Sequence, residues 1–260
     1  MPQGAALRLT ADAGEALAVK VMVTTRWEEI EPERSFLDEL TSNAGIQSLC
    51  PRIGQIASDT RDKARGDLPF DDNAKDLLKR INDEDALSSI VAYTHDLGQP
   101  GGVKEGNYYF EMNRMLRNRA ARAEMMETWG VCVHYTLKAL AKLEDFKGFV
   151  YRGWPASDKE GILREYKEGR TIQWGAFTST TTSLQAASGF AGAGGVIMKI
   201  KVKSGRNICP LSFYDTEDEI LLSPNHKFVV TSEDGGYVDG GRTFIDLLES
   251  VGLWMDPSVL

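Results

Sequence analysis

Cysteine and histidine are scarce in this chain of 260 residues, with three of each. Cys50, Cys132 and Cys209 are scattered and odd in number, which argues against a disulfide scaffold and for reduced thiols in a reducing compartment. His95, His134 and His226 match no zinc-binding spacing, so each reads as structural and no metal is expected. Basic residues are outnumbered as well, 30 Lys and Arg against 38 Asp and Glu, for a net charge of −8. Nucleic acid requires a basic face and an anionic membrane a basic patch, so neither is an expected partner. Arg114, Arg117, Arg119 and Arg122 do cluster, at spacings that suit the wet side of one helix. No apolar run approaches the roughly 18 residues of a membrane-spanning helix. Met1 to Thr25 lack the basic start and apolar stretch of a signal peptide. The expectation is action in the cytosol, by a cytoplasmic protein or by a secreted or injected effector without a cleavable signal. A dinucleotide loop is missing too: Gly189, Gly192, Gly194 and Gly195 precede a strand instead of following one, and read as a turn.

What is present suits an ordinary globular core, with 42% hydrophobic and 26% charged residues. Residues 1–26 are weakly patterned and read as an extension. Residues 27–147 read as helical, with apolar residues at helical spacing over Ser35 to Leu40, Asn73 to Ile81, Ala86 to Tyr93, Tyr108 to Arg122 and Glu124 to Leu143. Near Gly148 the period changes, and residues 148–260 read as a β-rich core. Strands are expected from Phe149 to Gly153 and over Trp174 to Thr181, Val196 to Val202, Glu217 to Leu222 and Phe228 to Thr231. Phe244 to Val251 suits strand or helix. Ser157 and Glu160 form a capping-box pattern for a helix that Gly169 would end. Helices first and strands second make the fold class α+β.

Three short segments carry chemistry. Glu217 and Glu219 lie two apart at the mouth of an apolar strand. In extended chain they would project together while Asp218 faces away. Two co-facing carboxylates suit reaction at an anomeric carbon, one stabilising a developing oxocarbenium ion and the other handling a proton. Tyr151-Arg152-Gly153 places a forked donor beside a glycine that would let a ligand approach the backbone, which suits a pyrophosphate. Thr178-Ser179-Thr180-Thr181, after Phe177, would put two hydroxyls on each face of a strand. Singly, each has a plainer reading as an ion pair, a β-forming run or solvated acids.

Taken in order, the three segments resemble the arginine-specific mono-ADP-ribosyltransferases of the R-S-E, Glu-x-Glu class. Ala92-Tyr93-Thr94 and Tyr109 through Asn113 to Leu116-Arg117 resemble the helical region ahead of that family's catalytic core. The resemblance covers roughly residues 86 to 250 and implies a helical region followed by a mixed β-sandwich core. It also implies NAD as co-substrate, without metal, and a target protein bearing an accessible arginine. Arg152 would hold the NAD phosphates, with Gly153 near the nicotinamide amide. Ser179 would bind the nicotinamide ribose and orient Glu219. Glu219 would stabilise the cation as nicotinamide leaves, and Glu217 would position and help deprotonate the acceptor guanidinium. Tyr151, Thr180 and Phe190 would complete the NAD site, with core packing the alternative for Phe190. Ser204 to Thr216 would be the target-recognition loop, carrying Phe213 and Tyr214. Thr181 stands where the family has serine, keeping the hydroxyl and adding a methyl.

The implied chemistry is coherent, because arginine stays protonated and is a poor nucleophile until a reactive cation is generated for it. Three readings remain open at this point: arginine transfer, NAD hydrolysis by the same site, and a silent module that binds NAD or a partner. A binding-only site has no physical need for Glu219, which disfavours the last. The sequence indicates neither the protein target nor an oligomeric state.

Overall fold

The computed structural model describes residues 32–67, 72–98, 104–118, 120, 122–214 and 218–250. Ser35 opens α1 (Phe36–Ser42) by accepting the Asp38 N–H, and Asn43 caps α2 (Ala44–Leu49) by accepting from Gly45 and Ile46. α3 (Ile53–Asp62) runs into a π-helical turn over Lys63–Asp67. There follow α4 (Asp72–Ile81), α5 (Glu84–Tyr93), α6 (Tyr108–Arg117) and α7 (Arg122–Leu140). Sequence patterning does not reveal α2 and α3. Their buried residues are few (Ile46, then Ile53, Ile56, Ala57 and Thr60), and packing against α1 and α5 supplies what periodicity lacks. α6 stops at Arg117 instead of continuing to Arg122, because Asn118 adopts an extended conformation.

The β-rich part begins with β1 (Asp145–Trp154), longer than the apolar run Phe149 to Tyr151 suggests. The remaining strands are β2 (Thr171–Trp174), β3 (Thr178–Thr181), β4 (Val196–Asn207), β5 (Glu219–Leu222), β6 (His226–Val230), β7 (Tyr237–Asp239) and β8 (Arg242–Glu249). Among the described residues they form one mixed sheet in the order β1-β3-β5-β4-β8-β6-β2. β7 pairs with β8, and a further β1–β4 pairing bends the path back on itself. Only the β4–β8 pair is parallel. The curled sheet encloses a core of Val150, Met198, Ile200, Leu222, Phe228 and Leu247. A second core belongs to the helices, yet it takes in Phe177 and Leu221 from around β3 and β5. This shared core fixes the helices against the end of the sheet that carries the hydroxyl-rich strand.

Several local expectations are corrected. The run Trp174 to Thr181 is two strands, since Trp174 closes β2 against β6 while Thr178 opens β3 against β5. Ser157 is not a helix cap: a 3-10 turn (Ala156–Asp158) precedes α8 (Lys159–Glu165), and the Ser157 hydroxyl instead donates to Asp158. α8 has ended by Tyr166, and Gly169 serves the following turn at φ 72°. The glycine-rich stretch is only partly a turn, because Gly189 lies inside α9 (Leu184–Ala191). Phe244 to Val251 resolves as strand up to Glu249. The extension over residues 1–26 lies outside the described residues. Among the described residues, no helix is long and apolar enough to cross a membrane.

One buried carboxylate ties three strands together. Glu249 on β8 accepts from the Ser204 hydroxyl and the Lys203 and Ser204 N–H groups on β4, and lies 3.5 Å from His226 on β6. Burial raises its pKa, but the hydrogen bonds from His226, Ser204 and Lys203 outweigh that and hold it at about 2. A carboxyl depressed on folding stabilises above its unfolded value and loses that contribution as pH falls through the folded value. Between about pH 4.5 and 2, this group should withdraw on the order of 2–3 kcal/mol of stability. Glu249→Gln should therefore show a flatter fall in urea midpoint between pH 5 and pH 2.5 than the parent chain, and an equal slope in both would refute the assignment.

Candidate active site

Arg152 lies near the end of β1, where the strand faces β4 throughout and meets β3 at Tyr151–Thr181. Its Nη1 donates to the Ser179 carbonyl at 2.7 Å, and its guanidinium lies over the Trp154 ring at 4.8 Å. The Nε atom is buried and has no hydrogen-bond partner among the described residues. Burial lowers the pKa of this arginine, and the nearby charge of Arg117 lowers it further, against raising influences from Tyr93, Tyr166 and Glu219. Arg117, at the end of α6, is largely exposed as a residue, yet burial around its guanidinium also lowers its pKa. Arg114 and Arg117 are exposed, as expected of a wet helix face, and the charge of Arg117 still reaches Arg152.

Gly153 has a packing role. A Cβ there would collide with the backbone of Ala187 and Ala191, so the absent side chain lets α9 lie directly on β1. The space expected for a ligand is filled on that side by the helix. Tyr151 packs with Ala191, Ile197 and Phe244 on the same side. Phe190, further along α9, is 66% exposed, which excludes the core-packing alternative.

The hydroxyls of β3 divide by function. Thr178 donates to the Ala176 carbonyl, Thr180 donates to the Ile220 carbonyl at 2.6 Å, and Thr181 accepts the Ser183 N–H where the chain turns into α9. Those three serve the local backbone. Ser179 differs: its backbone carbonyl accepts from Arg152, and Tyr93 of α5 lays its ring edge-on to Phe177, just ahead of β3. Tyr93 is buried, receives the Asn113 Nδ2–H at 3.0 Å, and its phenol is pushed up to about 12 by burial, then by Glu219. Tyr93 thus stays protonated. Sequence reading placed Tyr93 and Asn113 in the helical region without giving either a contact; a tyrosine at the end of an apolar helix signals burial but not its partner.

Glu219 opens β5 opposite Thr181 and is buried. Register puts it on the strand face shared by Ser179 and Thr181. Arg152, Ser179, Tyr93 and Glu219 are thereby brought into one cluster. Glu217 lies outside the described residues. Its expected projection together with Glu219 lies outside them too; Asp218, between the two, has φ 45°. Phe213 and Tyr214 part company: Phe213 is wedged against the helices, while Tyr214 is 41% exposed. Among the described residues, no group of three or more His, Cys, Asp or Glu could hold a metal ion.

A family model described as NAD:arginine ADP-ribosyltransferase matches residues 62–250. Mav of Mycobacterium avium (strain 104), named as an NAD(+)–arginine ADP-ribosyltransferase, is 32% identical over 64% of this chain and 18% of its own length. Vis of Vibrio splendidus (strain 12B01), named likewise, is 33% identical over 44% of this chain and 51% of its own. The chain thus spans about half of one curated relative and under a fifth of the other. Among solved structures, the ADP-ribosyltransferase HopU1 of Pseudomonas syringae pv. Tomato DC3000 superposes with a TM-score of 0.53 at 22% identity, covering 74% of this chain and 97% of its own. That likeness is one of fold.

The Tyr93 contacts generate a test that needs no substrate. Tyr93→Phe keeps the ring and strands the Asn113 amide in a buried setting, which should cost about 1–3 kcal/mol. Urea unfolding of the two proteins measures it, and a cost below about 0.3 kcal/mol would show that the hydroxyl is not held as described.

Proposed function

Because the chain belongs to the NAD:arginine ADP-ribosyltransferase family, we propose that it moves ADP-ribose from NAD to arginine side chains of a target protein, releasing nicotinamide. The observation that carries the reading is Arg152, a desolvated guanidinium with an unpaired Nε, beside Arg117 and backed by Ser179 and Glu219. Such a cluster fits a pyrophosphate joined to a ribose: the arginines take the phosphates, and the hydroxyl and carboxylate meet the sugar. The order Arg152, Ser179, Glu219 assigns the chain to the R-S-E class.

NAD supplies a glycosidic bond whose cleavage leaves positive charge at the ribose anomeric carbon. Glu219 is the buried carboxylate that would stabilise that charge, with Ser179 beside it on the same strand face. Stabilising developing charge with groups already in place accelerates the chemical step more than it tightens binding. Gly153 contributes through packing, bringing α9 against β1, and the exposed ring of Phe190 on α9 is available to nicotinamide. Tyr151 and Thr180 support the site from beneath, one by packing and the other by its bond to Ile220. Tyr214 is the exposed aromatic available to a target protein. Glu217 takes the acceptor guanidinium, a role resting on its spacing from Glu219. Cys50 and Cys132 are buried thiols, in keeping with action in the cytosol.

The test is NAD turnover with and without agmatine, scoring nicotinamide, free ADP-ribose and the agmatine adduct. Glu219→Gln should lower turnover at least about 100-fold while NAD affinity changes less than about threefold. Glu217→Ala should abolish the adduct and leave hydrolysis. Hydrolysis without adduct in the parent chain would reassign the protein as an NAD glycohydrolase, and a Glu219→Gln enzyme with parental turnover would remove the catalytic assignment.

A further inference from the structure

Three consecutive residues at the end of α5 reach the β-rich part in two directions. Tyr93 sets its ring against Phe177, just ahead of β3. Thr94, which caps the helix, donates its hydroxyl to the Val91 carbonyl at 2.9 Å and accepts the Phe213 backbone N–H at 3.1 Å. The next residue, His95, sets its ring edge-on to the Phe213 ring with centroids 4.7 Å apart. Its Nε2 is held by Asp59 of α3 at 2.8 Å, so the imidazole is braced from behind. On the other side of the Phe213 ring stands Lys63, the first residue of the π-helical turn, with Nζ 4.9 Å from the ring centroid.

Phe213 is therefore gripped at backbone and ring by residues distant in sequence, although it sits in a loop otherwise held by its own turns. Leu211 and Ser212 close a 3-10 turn over Cys209–Leu211, and Tyr214 N–H bonds the Ser212 hydroxyl. The grip decides which aromatic faces out: Phe213 is drawn inward, and Tyr214 is left exposed. Exposed Tyr214 is thereby pinned through its pinned neighbour and its own bond to Ser212, and a pinned contact residue has less freedom to lose when an acceptor docks.

We infer that Thr94 and His95 are positioning residues for the acceptor side of the site: by clamping Phe213 they set the division between transfer to a guanidine and loss to water. The inference rests on the transferase reading above and adds residues to it that touch neither the reacting atoms nor the arginine cluster. Nicotinamide release depends on Arg152, Ser179 and Glu219 and does not need the clamp. Capture by a guanidine needs a fixed approach, whereas water needs none. Loosening the clamp should thus lower transfer and spare hydrolysis.

The experiment measures NAD hydrolysis and agmatine transfer for the full chain and for Thr94→Val, Thr94→Ser and His95→Ala. Valine keeps the shape of threonine and removes the acceptor for the Phe213 N–H, whereas serine restores it. Thr94→Val and His95→Ala should lower transfer kcat/KM about 10-fold, since misplacing a reactant by about 1 Å costs up to about 100-fold. They should leave the KM for NAD and the hydrolysis rate within about twofold, so the adduct-to-hydrolysis ratio falls. Thr94→Ser should behave as the parent. If His95→Ala fails to fold, the Thr94 pair decides the matter alone. Parallel loss of both reactions would mean a merely structural contact and overturn the inference, as would an unchanged ratio. An absence of adduct in the parent chain would instead overturn the transferase reading itself.

Discussion

A partly buried guanidinium held at the hydroxyl-rich strand is the constraint around which this structure is arranged. Arg152 has one hydrogen bond to the Ser179 carbonyl, the Trp154 ring beneath it and a buried Nε with no hydrogen-bond partner among the described residues, and the charges of Glu219 and Arg117 reach it. On the proposed function, the rest of its fork is what a pyrophosphate would take. Stability is held elsewhere, in the sheet core and in the Glu249 contacts that join β4, β6 and β8.

The helices complete a site that the strands begin. β1, β3 and β5 supply Arg152, Ser179 and Glu219, but Tyr93 of α5 packs on Phe177 just ahead of β3, and the second arginine arrives on α6. Since Phe177 and Leu221 belong to the helical core, helices and strands cannot shift past one another without disturbing the cluster. The close approach at Gly153 has a similar consequence on the far side, where α9 lies on β1 and carries Phe190 outward. Function here is a property of how the two parts pack.

Much of this was legible before the structure. The period change near Gly148, the helices over Asn73 to Ile81 and Ala86 to Tyr93, and the strands carrying Arg152, Ser179 and Glu219 follow from local pattern. What pattern missed has identifiable causes. α2 and α3 present too few apolar residues to show a period, and α9 is masked by Gly189 and by the small residues that its close packing requires. Ser157 matched a capping box, but a 3-10 turn shifted the helix start past it. The contacts of Tyr93, Thr94 and His95 with Phe177 and Phe213 join residues about 84 to 119 positions apart (177 minus 93, and 213 minus 94), a separation that no local rule reads.

The central claim is that Arg152 holds the NAD phosphates, and calorimetric titration of NAD into the parent chain and Arg152→Lys tests it most directly. Lysine keeps the charge and loses the planar fork, so affinity should fall about 10-fold or more. Unchanged NAD affinity in the lysine variant would contradict the account.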